Sequence, residues 1–131
     1  MTDQESNGKK RILIIEDEKM LSEMYQDRFE REGFEVHCAV DAEEGMEMAK
    51  KVKPDLVVLD ILLPRENGTD FLERLRNTEE ISDTVVIAYS NYDDAASKEK
   101  AKELGAKEYL IKTNYTPKEI VDIIRKHIKE T

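Results

Sequence analysis

The stretch Leu56-Val57-Val58-Leu59-Asp60-Ile61-Leu62-Leu63-Pro64 decides the fold. Its first four residues are aliphatic with no polar break, as in a strand covered on both faces. The run closes on Asp60, with Pro64 four residues later and Gly68 eight residues later. An earlier run, Ile12 to Ile15, closes the same way on Glu16 and Asp17. If the two strands are parallel neighbours, three carboxylates meet at one sheet edge. Like charges at that range repel, and taking them out of water is costly unless a cation sits between them. A hard divalent cation with oxygen ligands answers that cost, which points to Mg2+ and phosphate chemistry.

Working outward, strand-like runs alternate with segments of helical period. The predicted strands are Arg11–Ile15, Phe34–Ala39, Leu56–Asp60, Val85–Tyr89 and Lys107–Ile111. The second alternates, with Phe34, Val36 and Cys38 on one side and Glu35 and His37 on the other, which suits a sheet edge. Between and after them lie five predicted helices. The first runs from Lys19 to Glu32, with Leu21, Met24, Tyr25 and Phe29 at helical spacing and Gly33 as its stop. The second opens on Asp41, with Glu44 at the capping-box position. The third carries Phe71, Leu72 and Leu75, and the fourth runs from Asp94 to Leu104 before Gly105. The fifth opens on Thr116-Pro117-Lys118-Glu119, a capping box with proline in the first turn, and carries Ile120, Ile123, Ile124 and Ile128. Five strand–helix units with right-handed crossovers make an α/β fold, a doubly wound five-stranded parallel sheet. The expected class is flavodoxin-like, (βα)5, with strand order 2-1-3-4-5.

Composition sets outer bounds. The chain has 131 residues, enough for one domain, and residues 10–131 are assigned to it, with 1–9 read as a mobile tail. A net charge of −9 argues against nucleic-acid binding through phosphates. A single cysteine, Cys38, excludes a disulfide framework and a thiolate metal site. No signal-peptide pattern and no membrane span is read, so the expected location is cytoplasmic.

In a doubly wound sheet, ligands bind beyond the carboxyl ends of the strands where strand order reverses. In the expected order that point lies between the first and third strands, which end in Glu16-Asp17 and Asp60. Ser90 follows the fourth strand and offers a hydroxyl; Lys112 follows the fifth and offers an ammonium. Three carboxylates and one ammonium leave a double negative charge, which one Mg2+ neutralises. A neutralised site admits a dianionic phosphoryl group.

In these residues the chain resembles the response-regulator receiver domain of two-component signalling. Glu16-Asp17, Asp60 with Pro64 and Gly68, Ser90, Tyr109 and Lys112 stand where that family has its acidic pair, phospho-acceptor, switch hydroxyl, switch aromatic and lysine. The resemblance implies that Asp60 takes a phosphoryl group from a phosphohistidine on a sensor histidine kinase or phosphotransfer protein. It implies Mg2+ held by Asp17, Asp60 and the Leu62 carbonyl, with Glu16 acting through a metal-bound water. Lys112 and Ser90 would contact phosphoryl oxygens, and Ser90 and Tyr109 would relay the change to a protein partner. That partner would meet the face formed by the fourth helix, fifth strand and fifth helix. Such a module is not an enzyme in the usual sense; it catalyses only its own phosphorylation and dephosphorylation. It is expected to be stand-alone, to contact neither nucleic acid nor membrane, and to signal by conformational change or onward phosphotransfer.

Four positions stand out. Asn91 follows Ser90 where the family usually has Ala or Gly, and Thr113 follows Lys112 where it usually has proline. Leu62 and Tyr92, both large and largely apolar, occupy positions that in the family flank the path of the hydrolytic water.

Plainer readings stand beside these. Glu16 and Asp17 could cap the first helix, Asp60 could be a turn residue before Pro64, Ser90 a loop hydroxyl, and Tyr109 a core residue with a wet tip. His37 and His127 read as structural, and Cys38 as a small core residue. Gly45 lies within a helix at a cost of about 1 kcal/mol relative to Ala. Other functional classes are a flavin-binding protein, disfavoured by the acidic Glu16-Asp17-Glu18 where a phosphate loop is needed, and a dehalogenase-type phosphohydrolase, which needs Asp where Leu62 stands. A degenerate receiver that binds partners without phosphorylation is the remaining alternative, motivated by Asn91 and Thr113.

Overall fold

Alternation of aliphatic strands and amphipathic helices builds one sheet with helices on both faces. A computed structural model describes residues 8–129, so Met1 to Asn7 of the expected tail lie outside the described residues. The strands are β1 (Arg11–Ile15), β2 (Glu35–Ala39), β3 (Leu56–Asp60), β4 (Val85–Ser90) and β5 (Glu108–Ile111). The helices are α1 (Lys19–Arg31), α2 (Ala42–Val52), α3 (Gly68–Arg76), α4 (Ala95–Glu103) and α5 (Pro117–Lys129). All strand pairs are parallel, in the order β2-β1-β3-β4-β5. Three expected strand boundaries shift by one residue: β4 includes Ser90, and Phe34 and Lys107 fall just outside their strands.

The period of two along each strand divides the core. Leu13, Ile15, Val57, Leu59, Val86 and Ala88 pack with Met46, Phe71, Leu72, Leu75 and Ala101 of α2, α3 and α4. Ile12, Ile14, Leu56, Val58, Ile87 and Leu110 pack on the other face with Tyr25, Phe29, Ile120, Ile124 and Ile128 of α1 and α5. β3 is buried at every residue, which explains its unbroken apolar run.

The helix ends follow the expected chemistry with one change. At α5, Thr116 Oγ1 accepts from Glu119 N–H at 3.1 Å while Glu119 Oε1 accepts from Thr116 N–H at 2.8 Å, the reciprocal capping box. At α2, Asp41 Oδ1 accepts from Glu44 N–H at 2.8 Å, but Glu44 Oε1 reaches back one residue further, to Val40 N–H at 2.8 Å. Gly45 is explained by packing: a Cβ there would lie 2.7 Å from Ile15 Cδ1. His37 bonds Glu35 and His127 bonds Glu108, so both histidines are structural partners of surface carboxylates.

Candidate functional site

The same period of two that sorts the core also builds the site. Continuing the α1/α5 face past the strand ends leads from Ile14 to Glu16, from Val58 to Asp60, from Ile87 to Tyr89 and from Leu110 to Lys112. β1 and β3 are neighbours, with Ile15 opposite Leu59, and Asp60 stands opposite Tyr89 on β4. The four side chains therefore converge at one edge, at the switch point of the strand order.

Glu16, Asp17 and Asp60 each present a carboxylate oxygen within 4.8 Å of the others. Glu16 and Asp60 are buried, and Asp17 is exposed. Lys112 Nζ lies 2.9 Å from Glu16 Oε1 and 3.3 Å from Asp60 Oδ2. Asp60 Oδ1 accepts the Leu62 amide at 3.0 Å, and Glu16 Oε2 accepts the Glu18 amide at 3.0 Å. Glu16 Oε1 also accepts the Tyr89 hydroxyl at 2.6 Å.

Electrostatics separates the two buried acids. Burial and the neighbouring Glu16 charge push the Asp60 carboxyl up to about 7, against the pull of Lys112. Burial acts upward on Glu16 as well, but hydrogen bonds from Tyr89, the Glu18 amide and Lys112 outweigh it and hold Glu16 below its ordinary value. One lysine cannot balance three clustered acids. The donor set, all carboxylate oxygen with one exposed member, fits a hard cation such as Mg2+ and would suit neither a thiolate nor an imidazole metal.

Gly68 now has a physical role. A Cβ at Gly68 would lie 2.7 Å from both the Asp60 carbonyl oxygen and Ile61 Cα, so only glycine lets α3 start against the end of β3. The Gly68 amide closes the turn on the Ile61 carbonyl at 2.7 Å, and Leu62 bridges Asn67. The α1 N-cap is Glu18, whose own side chain makes no cap bond; Glu16 takes the Glu18 amide on Oε2 and Tyr89 and Lys112 on Oε1, so it serves the cluster as well as the helix start. Thr113 does not dislodge Lys112, which reaches both acids, and the chain continues through a 3-10 turn, Lys112–Asn114. Asn91 is exposed.

Ser90 and Tyr109 stand apart from that cluster. Ser90 is buried, and its Oγ accepts the Tyr92 amide at 3.2 Å. Tyr109 packs against the α2–α4 core layer, and its hydroxyl is buried with no hydrogen-bond partner of good geometry. Burial raises its phenol, and the neighbouring Ser90 hydroxyl draws it partly back. The hydroxyl end of this half-buried ring is thus already covered in this structure. Leu62 and Tyr92 are exposed beyond the strand ends, at 47% and 66%.

Tyr89 is the residue that sequence reading missed. It lies in an apolar strand and reads as core. The available signal was its register opposite Asp60 combined with a hydroxyl that must find a partner when buried.

Fold and site together define a flavodoxin-like (βα)5 domain with an acidic, lysine-bridged edge. The family model described as response regulator receiver domain matches residues 12–125, and the chain belongs to that family. The receiver domain protein (CheY-like) from Methanospirillum hungatei JF-1 superposes with a TM-score of 0.85 at 27% identity, covering 93% of this chain and 95% of that one. The non-phosphorylated HemR receiver domain from Leptospira biflexa gives 0.83 at 31% identity, covering 92% and 94%. Among curated relatives, the alkaline phosphatase synthesis transcriptional regulatory protein PhoP of Bacillus subtilis (strain 168) is 33% identical over 111 residues, 85% of this chain and 45% of that one. The DNA-binding dual master transcriptional regulator RpaA of Synechocystis is 34% identical over 102 residues, 78% and 42%. The chain spans about half the length of the curated relatives it matches. Among the described residues, no helix is long and apolar enough to cross a membrane.

Proposed function

We propose that the chain accepts a phosphoryl group on Asp60 from a phosphohistidine of a sensor histidine kinase or phosphotransfer protein, and that a protein partner reads the result. The observation that supports this most is the shared grip of Lys112 on Glu16 and Asp60, with Asp17 completing the carboxylate cluster. Asp17, Asp60 and the Leu62 carbonyl would hold Mg2+, with Glu16 acting through a bound water. When bound, Mg2+ supplies the positive charge that draws a dianionic phosphoryl group to an acidic edge.

The chain's own residues do the rest. An Asp60 carboxylate oxygen forms the new O–P bond as the P–N bond to histidine breaks, and the electron pair stays on the imidazole nitrogen. No general base is needed, because the ionised form of Asp60 is itself the nucleophile. Lys112 moves from Asp60 to a phosphoryl oxygen while Glu16 keeps it anchored. The Ser90 hydroxyl, whose oxygen accepts the Tyr92 amide, turns its O–H to donate to a phosphoryl oxygen. That turn, beside the buried Tyr109 hydroxyl, alters the face of α4, β5 and α5 on which the downstream partner docks.

The proposal covers the receiver alone. Stand-alone action was expected from sequence, but the matched relatives carry as much sequence again. The DNA binding named for one relative belongs to a protein of which this chain covers 42%. Intact mass after incubation with acetyl phosphate tests the reading. The chain should gain one phosphoryl group with Mg2+ and none with EDTA. Labelling that is indifferent to EDTA would refute a metal-dependent acceptor.

A further inference from the structure

We infer that Tyr89 is a positioning residue of the acidic site, acting through Glu16 and Lys112; this rests on the receiver reading of that site. Tyr89 is fully buried among α1 and α5 residues, where an aliphatic side chain would cover the same core. A phenol in that position is costly unless its hydroxyl is bonded. The hydroxyl donates to Glu16 Oε1 at 2.6 Å, the shortest hydrogen bond to any site carboxylate. The same oxygen accepts from Lys112 Nζ at 2.9 Å, and that ammonium stands 4.4 Å from the Tyr89 ring centroid. Tyr89 thus holds an acid through its hydroxyl and a cation through its ring face. Behind it, the Tyr25 ring of α1 braces it edge-on, with centroids 6.3 Å apart.

Glu16 has little freedom in this arrangement. Oε1 receives two donors, Tyr89 and Lys112, and Oε2 receives the Glu18 amide. Without the Tyr89 hydroxyl, Oε1 would be left with Lys112, a flexible donor that it shares with Asp60 at 3.3 Å. Glu16 would then follow Lys112, and the close grouping of the three carboxylates would loosen. Partners that orient a metal site from behind are commonly worth tenfold or more in metal affinity.

The test is a titration with Mg2+ alone, followed by amide shifts of Asp17 and Leu62, on wild type, Tyr89→Phe, Glu16→Gln and the double variant. Tyr89→Phe should bind Mg2+ about tenfold more weakly. In the Glu16→Gln background the same change should cost less than about twofold, because the group it positions is already altered. Unchanged or tighter binding by Tyr89→Phe overturns the inference. An equal loss in both backgrounds also overturns it, since that is the mark of general packing. A measurement on wild type guards against a variant that does not fold: the bonded Tyr89 hydroxyl proton should give a downfield resonance that shifts with Mg2+, and a resonance blind to Mg2+ overturns the inference too. A wild-type chain that binds no Mg2+ refutes the receiver reading of the site and this inference with it.

Discussion

Burial and the Glu16 charge raise the cost of ionising Asp60 in the metal-free protein, and that has consequences at the scale of the residue. Its folded-state carboxyl is raised from 3.8 to about 7, first by burial and then by Glu16. The stability contributed by neutral Asp60 is fully present below its unfolded value and is lost as pH rises through about 7. Asp60→Asn keeps the shape and removes the ionisation. In EDTA the variant should therefore outlast wild type in urea, with an advantage that grows from about pH 4 to pH 7 and reaches on the order of 2 kcal/mol. A constant or shrinking difference over that range would contradict the charge repulsion assigned here. Leu62 and Tyr92 carry a second prediction. Neither offers a carboxylate or amide to orient water, so a phosphoryl group on Asp60 should decay slowly. Leu62→Asn with Tyr92→Glu should speed that decay, as followed by intact mass over time. An unchanged rate would mean these exposed side chains do not control access to the acyl phosphate.

At the scale of elements, β4 and β5 carry both functions of the site on opposite faces. Tyr89 and Lys112 point toward the acids on the α1/α5 side, whereas Tyr109 packs in the α2–α4 layer and Ser90 bonds the loop leading to α4. The proposed route from Asp60 to the α4–β5–α5 face therefore runs through Ser90, which follows the residue paired with Asp60 on β4. A single modification can shift that face only if its two arrangements differ by a few kcal/mol, and the unsatisfied Tyr109 hydroxyl keeps the present one from being deeply favoured. Ser90→Ala should still accept the phosphoryl mimic beryllofluoride, yet show smaller amide shifts over Ala95–Leu104 and at Tyr109. Identical responses from wild type and Ser90→Ala would rule out this route. Much at this scale was legible beforehand. The unbroken run of β3 declared its burial, and the Thr116–Glu119 box declared the start of α5. Gly45 was not legible, because the Ile15 contact that forbids a Cβ is made between elements distant in sequence. Tyr109 was legible as a residue, but the covering of its hydroxyl was not, since that depends on packing against residues distant in sequence.

At the scale of the whole molecule, parallel topology turns four separated sequence positions into one site. The order β2-β1-β3-β4-β5 sets the end of β1 beside the end of β3, and a two-residue period aims Glu16, Asp60, Tyr89 and Lys112 to one side. Carboxylates at strand ends announced themselves in the sequence because two aliphatic strands closing on acids, with Lys112 in register, outweigh a cap or a turn as the explanation. Tyr89 did not, because an aromatic in a buried strand has an ordinary packing explanation until its neighbours are known. The central claim is that this convergence makes Asp60 the phosphoryl acceptor. Intact mass of wild type and Asp60→Asn after acetyl phosphate and Mg2+ tests it most directly. Wild type should gain a single phosphoryl group and Asp60→Asn none. An unlabelled wild type, or an Asp60→Asn protein labelled as fully as wild type, would contradict it.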